Sequence, residues 1–180
     1  MLLVVDNGSI YTKNLVNFLT KEETQFIDQK FDEVDLSDIG QFNSFILSGR
    51  RKNNQKMNAI NSQIIKHTVS EKKSLLGICY GAEILALTLG GTIRKSLKSV
   101  KGEEIIVTEK ENKLCEGKIN AYESHNYEIS RLGNYLQGLA SSQSCKYEII
   151  RHINHDIFGT QFHPEMSDDG KSIIQNFLLV

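Results

Sequence analysis

Three short apolar runs, at 2–5, 45–47 and 74–78, are each followed by a segment with helical spacing of apolar residues. That alternation constrains this chain more than any other feature. A continuous apolar run is a strand covered on both faces, and strand–helix–strand successions close by right-handed crossovers into a parallel sheet. The helical segments are marked by Leu15, Phe18 and Leu19, by Ile60, Ile64 and Ile65, and by residues 83–89. In sheets of this kind, sites form at the C-terminal strand ends, where loops 6–9, 48–51 and 79–81 fall. Beyond Gly90-Gly91 the pattern changes: strands are expected at 103–108, 118–123, 146–151 and 157–162, joined by short turns, with a closing helix over 171–179. A short strand at 24–28 and a short helix or turn at 35–42 are weaker features, and the polar stretch 50–55 reads as a mobile loop with solvated charges. The expected fold is an α/β three-layer sandwich with a mixed, mainly parallel central sheet and helices on both faces. It is expected to form one domain over 1–180.

Composition narrows the function classes. The net charge is −1, with 21 basic and 22 acidic residues and no long basic cluster, so nothing favours nucleic acid or an anionic membrane. No apolar run approaches membrane-spanning length, and the apolar start ends at Asp6, too soon for a signal peptide. Cys79, Cys115 and Cys145 form no C-x-x-C pair, which fits a reduced, cytoplasmic protein. No metal cluster at ligand spacing is visible; His152 and His155 have no acidic or cysteine partners close in sequence.

The chemistry concentrates at Gly77-Ile78-Cys79-Tyr80-Gly81. A cysteine between a buried strand and a helix, with glycine two residues either side, has the form of a nucleophile elbow. The glycines permit close backbone approach, and the helix start directs N–H groups and partial positive charge at the sulfur. A cysteine ending a core strand can equally be simple packing. The catalytic reading gains weight downstream, at Gln161-Phe162-His163-Pro164-Glu165, where one turn can supply a base, His163, and an orienting carboxylate, Glu165.

With these two motifs in this order and separation, nearly the whole chain resembles the class I glutamine amidotransferases, whose fold is flavodoxin-like. Within them it is most similar to the separate glutaminase subunits of archaeal GMP synthases, through residues 6–11, Glu123-Ser124-His125 and the stretch 146–159. The resemblance implies hydrolysis of L-glutamine through a γ-glutamyl thioester on Cys79, with His163 as base and acid and Glu165 as its orienter. It implies an oxyanion hole from the Tyr80 N–H and the Gly49 and Arg50 loop. Substrate binding is implied for Ser124, His125 and Asn126 and for position 83. No cofactor is implied for this chain; ATP and magnesium belong to a partner, an ATP pyrophosphatase (synthetase) chain that aminates XMP. Tyr11 is placed either lining the site or facing a partner.

Four departures from the family pattern cluster at the binding loops. Ser48-Gly49-Arg50-Arg51 replaces Ser-Gly-Gly-Pro, Gly81-Ala82-Glu83 replaces Gly-His-Gln, Tyr127 replaces an aspartate, and Ile10 replaces a glutamine. They leave two alternatives open. Glu83 could select a cationic or amine-bearing γ-glutamyl compound, making a γ-glutamyl hydrolase, or the chain could be a pseudo-glutaminase that regulates a partner.

Overall fold

Leu2 and Val4 of the first strand face one side of the sheet, Leu3 and Val5 the other, and all four are buried. That two-sided burial sets the architecture of the computed structural model, which describes residues 1–180. β1 (Leu2–Asn7), β2 (Phe26–Lys30), β3 (Ser44–Arg50), β4 (Ser74–Ile78) and β9 (Ile157–Thr160) pair in parallel. β5 (Thr92–Thr108), β6 (Lys118–Arg131), β7 (Leu136–Ser141) and β8 (Ile149–His152) continue the sheet in antiparallel pairing. The nine strands run in the order β2-β1-β3-β4-β9-β8-β7-β5-β6.

Helices α1 (Thr12–Lys21) and α4 (Asp168–Leu178) bury Leu15, Leu19, Ile173, Ile174 and Phe177 against one face. Helices α2 (Gln55–Ser70) and α3 (Tyr80–Thr88) bury Ile60, Ile64, Ile65, Leu85 and Ala86 against the other. The expected three-layer sandwich is therefore observed. No helix is long and apolar enough to cross a membrane.

The second half holds more strand than the sequence pattern predicts. β5 begins at Thr92, well before the expected 103, and runs as a long hairpin with β6. Its first half buries no face, so it carries no alternation to read. β7, with Gly138 at its centre, carries no strand signal. The polar stretch 50–55 is a correction. Asn54 caps α2 by accepting the Met57 N–H at 3.1 Å, and the Arg50 side chain is largely buried, while Arg51, Lys52 and Asn53 are exposed as expected, so the segment is tied down at its two ends.

Candidate active site

The elbow follows from close packing. Cys79 has φ 51° and ψ −102°, a left-handed backbone that a non-glycine residue rarely holds. Its N–H donates to the Thr160 carbonyl at 2.7 Å, tying the turn to β9. A Cβ on Gly81 would stand 2.3 Å from the Leu47 carbonyl oxygen, and one on Gly77 would stand 2.5 Å from the Gly81 backbone. The two glycines thus let α3 start directly against β3 and β4, with the thiol raised at the sheet's C-terminal edge.

β9 delivers the second group. Ile78 pairs with Thr160, so the chain leaving β9 passes beside the elbow. The His163 N–H donates to the Tyr122 carbonyl at 2.8 Å, and Pro164 opens a single 3₁₀ turn that brings Glu165 back to the ring. Glu165 Oε1 lies 2.8 Å from His163 Nδ1, which leaves Nε2 for the Cys79 thiol, and the two groups are near enough for each to bear on the other's ionisation. The thiol also lies 3.9 Å from the Ser124 carbonyl. All three side chains are buried.

Burial opposes the imidazolium, but the Glu165 carboxylate and then the sulfur outweigh it and hold His163 well above its ordinary value. Burial also pushes the Cys79 thiol up, and His163 offsets that only in part. For this coupled pair the His163 direction governs: a carboxylate at 2.8 Å favours imidazolium, and imidazolium with the helix start favours thiolate. Glu165→Gln is accordingly expected to move the pH profile of Cys79 alkylation by iodoacetamide upward. Without the carboxylate the imidazolium gives up its proton at lower pH, and the thiolate loses its counter-charge over the range where it was stabilised.

Other loops complete the wall. Asn7, at the end of β1, donates its N–H to Ser48 Oγ at 2.9 Å and its side-chain amide to the Ser48 carbonyl at 3.0 Å. Asn61 of α2 closes this buried set, donating to Asn7 Oδ1 at 2.7 Å. These bonds fix the Ser48–Arg50 loop, where a Cβ on Gly49 would approach His163 Cε1 to 3.0 Å. Tyr11 leans over the His163 ring with centroids 4.5 Å apart, and its hydroxyl is 3.3 Å from Ser124 Oγ. Sequence reasoning places Tyr11 only in general terms and misses the Asn7–Asn61 pair; two asparagines that far apart carry no spacing signal.

A cavity of about 450 Å³ opens above the thiol, lined by Cys79, Tyr80, Arg50, Glu83, Ser124, His125 and Asn126, among others. The structure thus gathers the expected binding residues around one cavity; of the expected set, Gly49 stands beside His163 rather than on the cavity wall. Glu83 is not a free carboxylate. Arg50 Nη2 lies 3.7 Å from Glu83 Oε2, and the guanidinium sits over the Tyr80 ring, 4.3 Å from its centroid. Asn58 holds both partners: its Oδ1 accepts from the Tyr80 hydroxyl at 2.8 Å and faces Arg50 Nη1 at 3.4 Å. Burial pushes the Glu83 carboxyl up, against the pull of Arg50. The wall therefore presents a guanidinium and a carboxyl side by side, so Glu83 faces the cavity paired with Arg50. Chemically, a thiol, an imidazole and a carboxylate lie beneath a polar pocket, a set of groups suited to nucleophilic attack on a carbonyl carbon.

The profile of the glutamine amidotransferase class-I family matches residues 3–180. The chain belongs to this family. Among class-I amidotransferase relatives, a glutamine-hydrolysing GMP synthase subunit from Picrophilus torridus is 38% identical over 109 residues, 58% of each chain. Its counterpart in Ignicoccus hospitalis is 35% identical over 112 residues, 59% of this chain and 60% of its own. These alignments thus span less than two thirds of the relatives' length. The Methanocaldococcus jannaschii counterpart matches over 100% of this chain and 97% of its own, at 26% identity. A solved structure from Thermoplasma acidophilum superposes with a TM-score of 0.87 at 27% identity, covering 98% of this chain and 91% of that one. A glutamine amidotransferase from Thermotoga maritima has a TM-score of 0.80 at 15% identity, covering 98% and 81% of the two chains, a likeness of fold alone.

Proposed function

We propose that this chain is the glutaminase component of a two-chain GMP synthase, hydrolysing L-glutamine and passing ammonia to a separate synthetase. The observation that carries the reading is the Cys79–His163–Glu165 arrangement beneath the charged-pair cavity. The Methanocaldococcus jannaschii relative, matched over the whole chain, is itself one subunit of a GMP synthase, which supports a separate synthetase partner.

In the proposed reaction, Cys79 Sγ attacks the side-chain amide carbon of glutamine as a thiolate, the thiol proton residing on His163. The carbonyl oxygen becomes an oxyanion facing the Tyr80 N–H at the start of α3 and the Gly49–Arg50 backbone. Collapse breaks the carbon–nitrogen bond, His163 protonates the departing amine, and ammonia leaves a γ-glutamyl thioester. Water, deprotonated by His163, then attacks the thioester; its proton returns to sulfur and glutamate is released. Glu165 keeps His163 in the tautomer with Nε2 toward sulfur throughout. ATP and magnesium act on the partner, where XMP is aminated.

The Arg50–Glu83 pair would receive the head of the substrate, whose α-carboxylate and α-ammonium have complementary signs. Arg50→Ala is expected to raise KM for L-glutamine by about tenfold to a hundredfold with a smaller change in kcat, because an interaction held in ground and transition states alike is lost. Steady-state ammonia release checks it. The parent proposal is tested by reconstitution with an ATP pyrophosphatase chain: GMP should form from XMP, ATP and L-glutamine. Ammonia release unaffected by any such synthetase, together with no GMP, would point to a stand-alone γ-glutamyl hydrolase.

A further inference from the structure

Behind the thiol pocket, three carboxylates from three parts of the sheet converge. Glu104 lies on β5, Glu123 on β6 and Glu148 one residue before β8, and each offers an oxygen within 4.8 Å of the others. Glu123 and Glu148 are fully buried and Glu104 is half-buried. We propose that Glu104, Glu123 and Glu148 hold a hard divalent cation, of the calcium or manganese type, that ties β5, β6 and the turn into β8 together.

The distances fit the chemistry. Oxygen ligands at about 2.4 Å from calcium stand at most about 4.8 Å apart across the ion. An all-oxygen donor set selects calcium, magnesium or manganese over softer metals.

The second observation is the unmet demand of the buried oxygens. Both Glu123 oxygens and Glu148 Oε2 are sealed from solvent, and beyond each other's carboxyl groups they have no hydrogen-bond partner. None of the three residues is paired with a lysine or arginine. A buried carboxylate is costly unless it is paired or coordinates a metal. Neighbouring groups orient the cluster without neutralising it. Ser142 Oγ donates to Glu148 Oε1 at 2.6 Å, and Ser144 donates its N–H to Glu104 Oε1 at 3.0 Å and its hydroxyl to Glu104 Oε2 at 2.6 Å. These bonds leave Glu148 Oε2 and the Glu123 carboxyl untouched, and each Glu104 oxygen keeps a second lone pair beside its bond to Ser144. His125 Nε2 stands 3.3 Å from Glu123 Oε2, while its Nδ1 is 2.9 Å from the Tyr127 carbonyl, so a single imidazole faces a cluster of three carboxyl groups.

The inference is independent of the glutaminase reading. Its test is a titration of metal-free protein with Ca²⁺ by calorimetry and with Mn²⁺ by electron paramagnetic resonance. One ion per chain should bind with Kd below about 1 mM. Saturation at a hundredfold excess over Kd should raise Tm by roughly 5–10 °C. Glu104→Gln keeps an acceptor for Ser144 at a half-buried position, so it should fold and should weaken binding at least tenfold. Absence of saturable binding below that concentration would overturn the proposal and leave a carboxyl pair sharing a proton. So would binding unchanged in Glu104→Gln.

Discussion

Cys79→Ala is expected to lower glutamine hydrolysis by about 10⁴–10⁶-fold while leaving the fold intact. The residual rate should reflect only the pocket and the oxyanion donors, and a second substitution at His163 should cost little more, since thiol and base act as one unit. A diazo-ketone analogue of glutamine gives the complementary readout. It should attach covalently to the native chain at Cys79 and nowhere else, because Cys115 and Cys145 stand outside the cavity that admits it. Mass spectrometry of the intact protein and of its peptides checks both statements. Failure of the native chain to label, with the triad in place, would favour a pseudo-glutaminase in which these residues serve only as scaffold.

The second large effect concerns stability. Gly81→Ala should destabilise the protein by about 3 kcal/mol or more, and with marginal native stability this is expected to leave little soluble protein. The added methyl would meet backbone on β3, the Leu47 carbonyl oxygen at 2.3 Å, and backbone cannot rotate out of the way as a side-chain tip can. Relief requires moving the start of α3, which carries the thiol with it, so any folded fraction should also show slowed Cys79 alkylation. Gly40→Ala is the control. Nothing lies within 4 Å of its Cβ position, and the change should stay within about 0.5 kcal/mol. Urea denaturation midpoints compare the two.

Most of the first half of the fold was legible because β1, β3 and β4 are buried on both faces and α1 and α2 on one, whereas the exposed β2 gave only a weak signal. β4 falls at 74–78 as expected, since a two-sided apolar run leaves little choice. The proposed triad was legible because its spacing is local: a glycine-flanked cysteine, and a histidine two residues from its carboxylate. What stayed concealed is long-range and polar. β5 and β7 lack a clean apolar face, so periodicity could not announce them. Arg50 looked like part of a solvated loop because its partners, Glu83, Asn58 and the Tyr80 ring, reach it only through tertiary packing. Glu104, Glu123 and Glu148 are far apart along the chain and become a cluster only when β5, β6 and β8 fold together. Glu83 illustrates the same limit in the other direction. Its residue type suggested a free carboxylate, but a neighbour contributed by another loop stands 3.7 Å away and pairs with it.

β9 is the last strand to be made, yet it inserts between β4 and β8 near the middle of the sheet. The sulfur is therefore synthesised long before the imidazole that arms it, and the two meet only when that late strand slots into a gap held open by earlier ones. A nascent copy therefore carries Cys79 without the histidine and carboxylate of the proposed site.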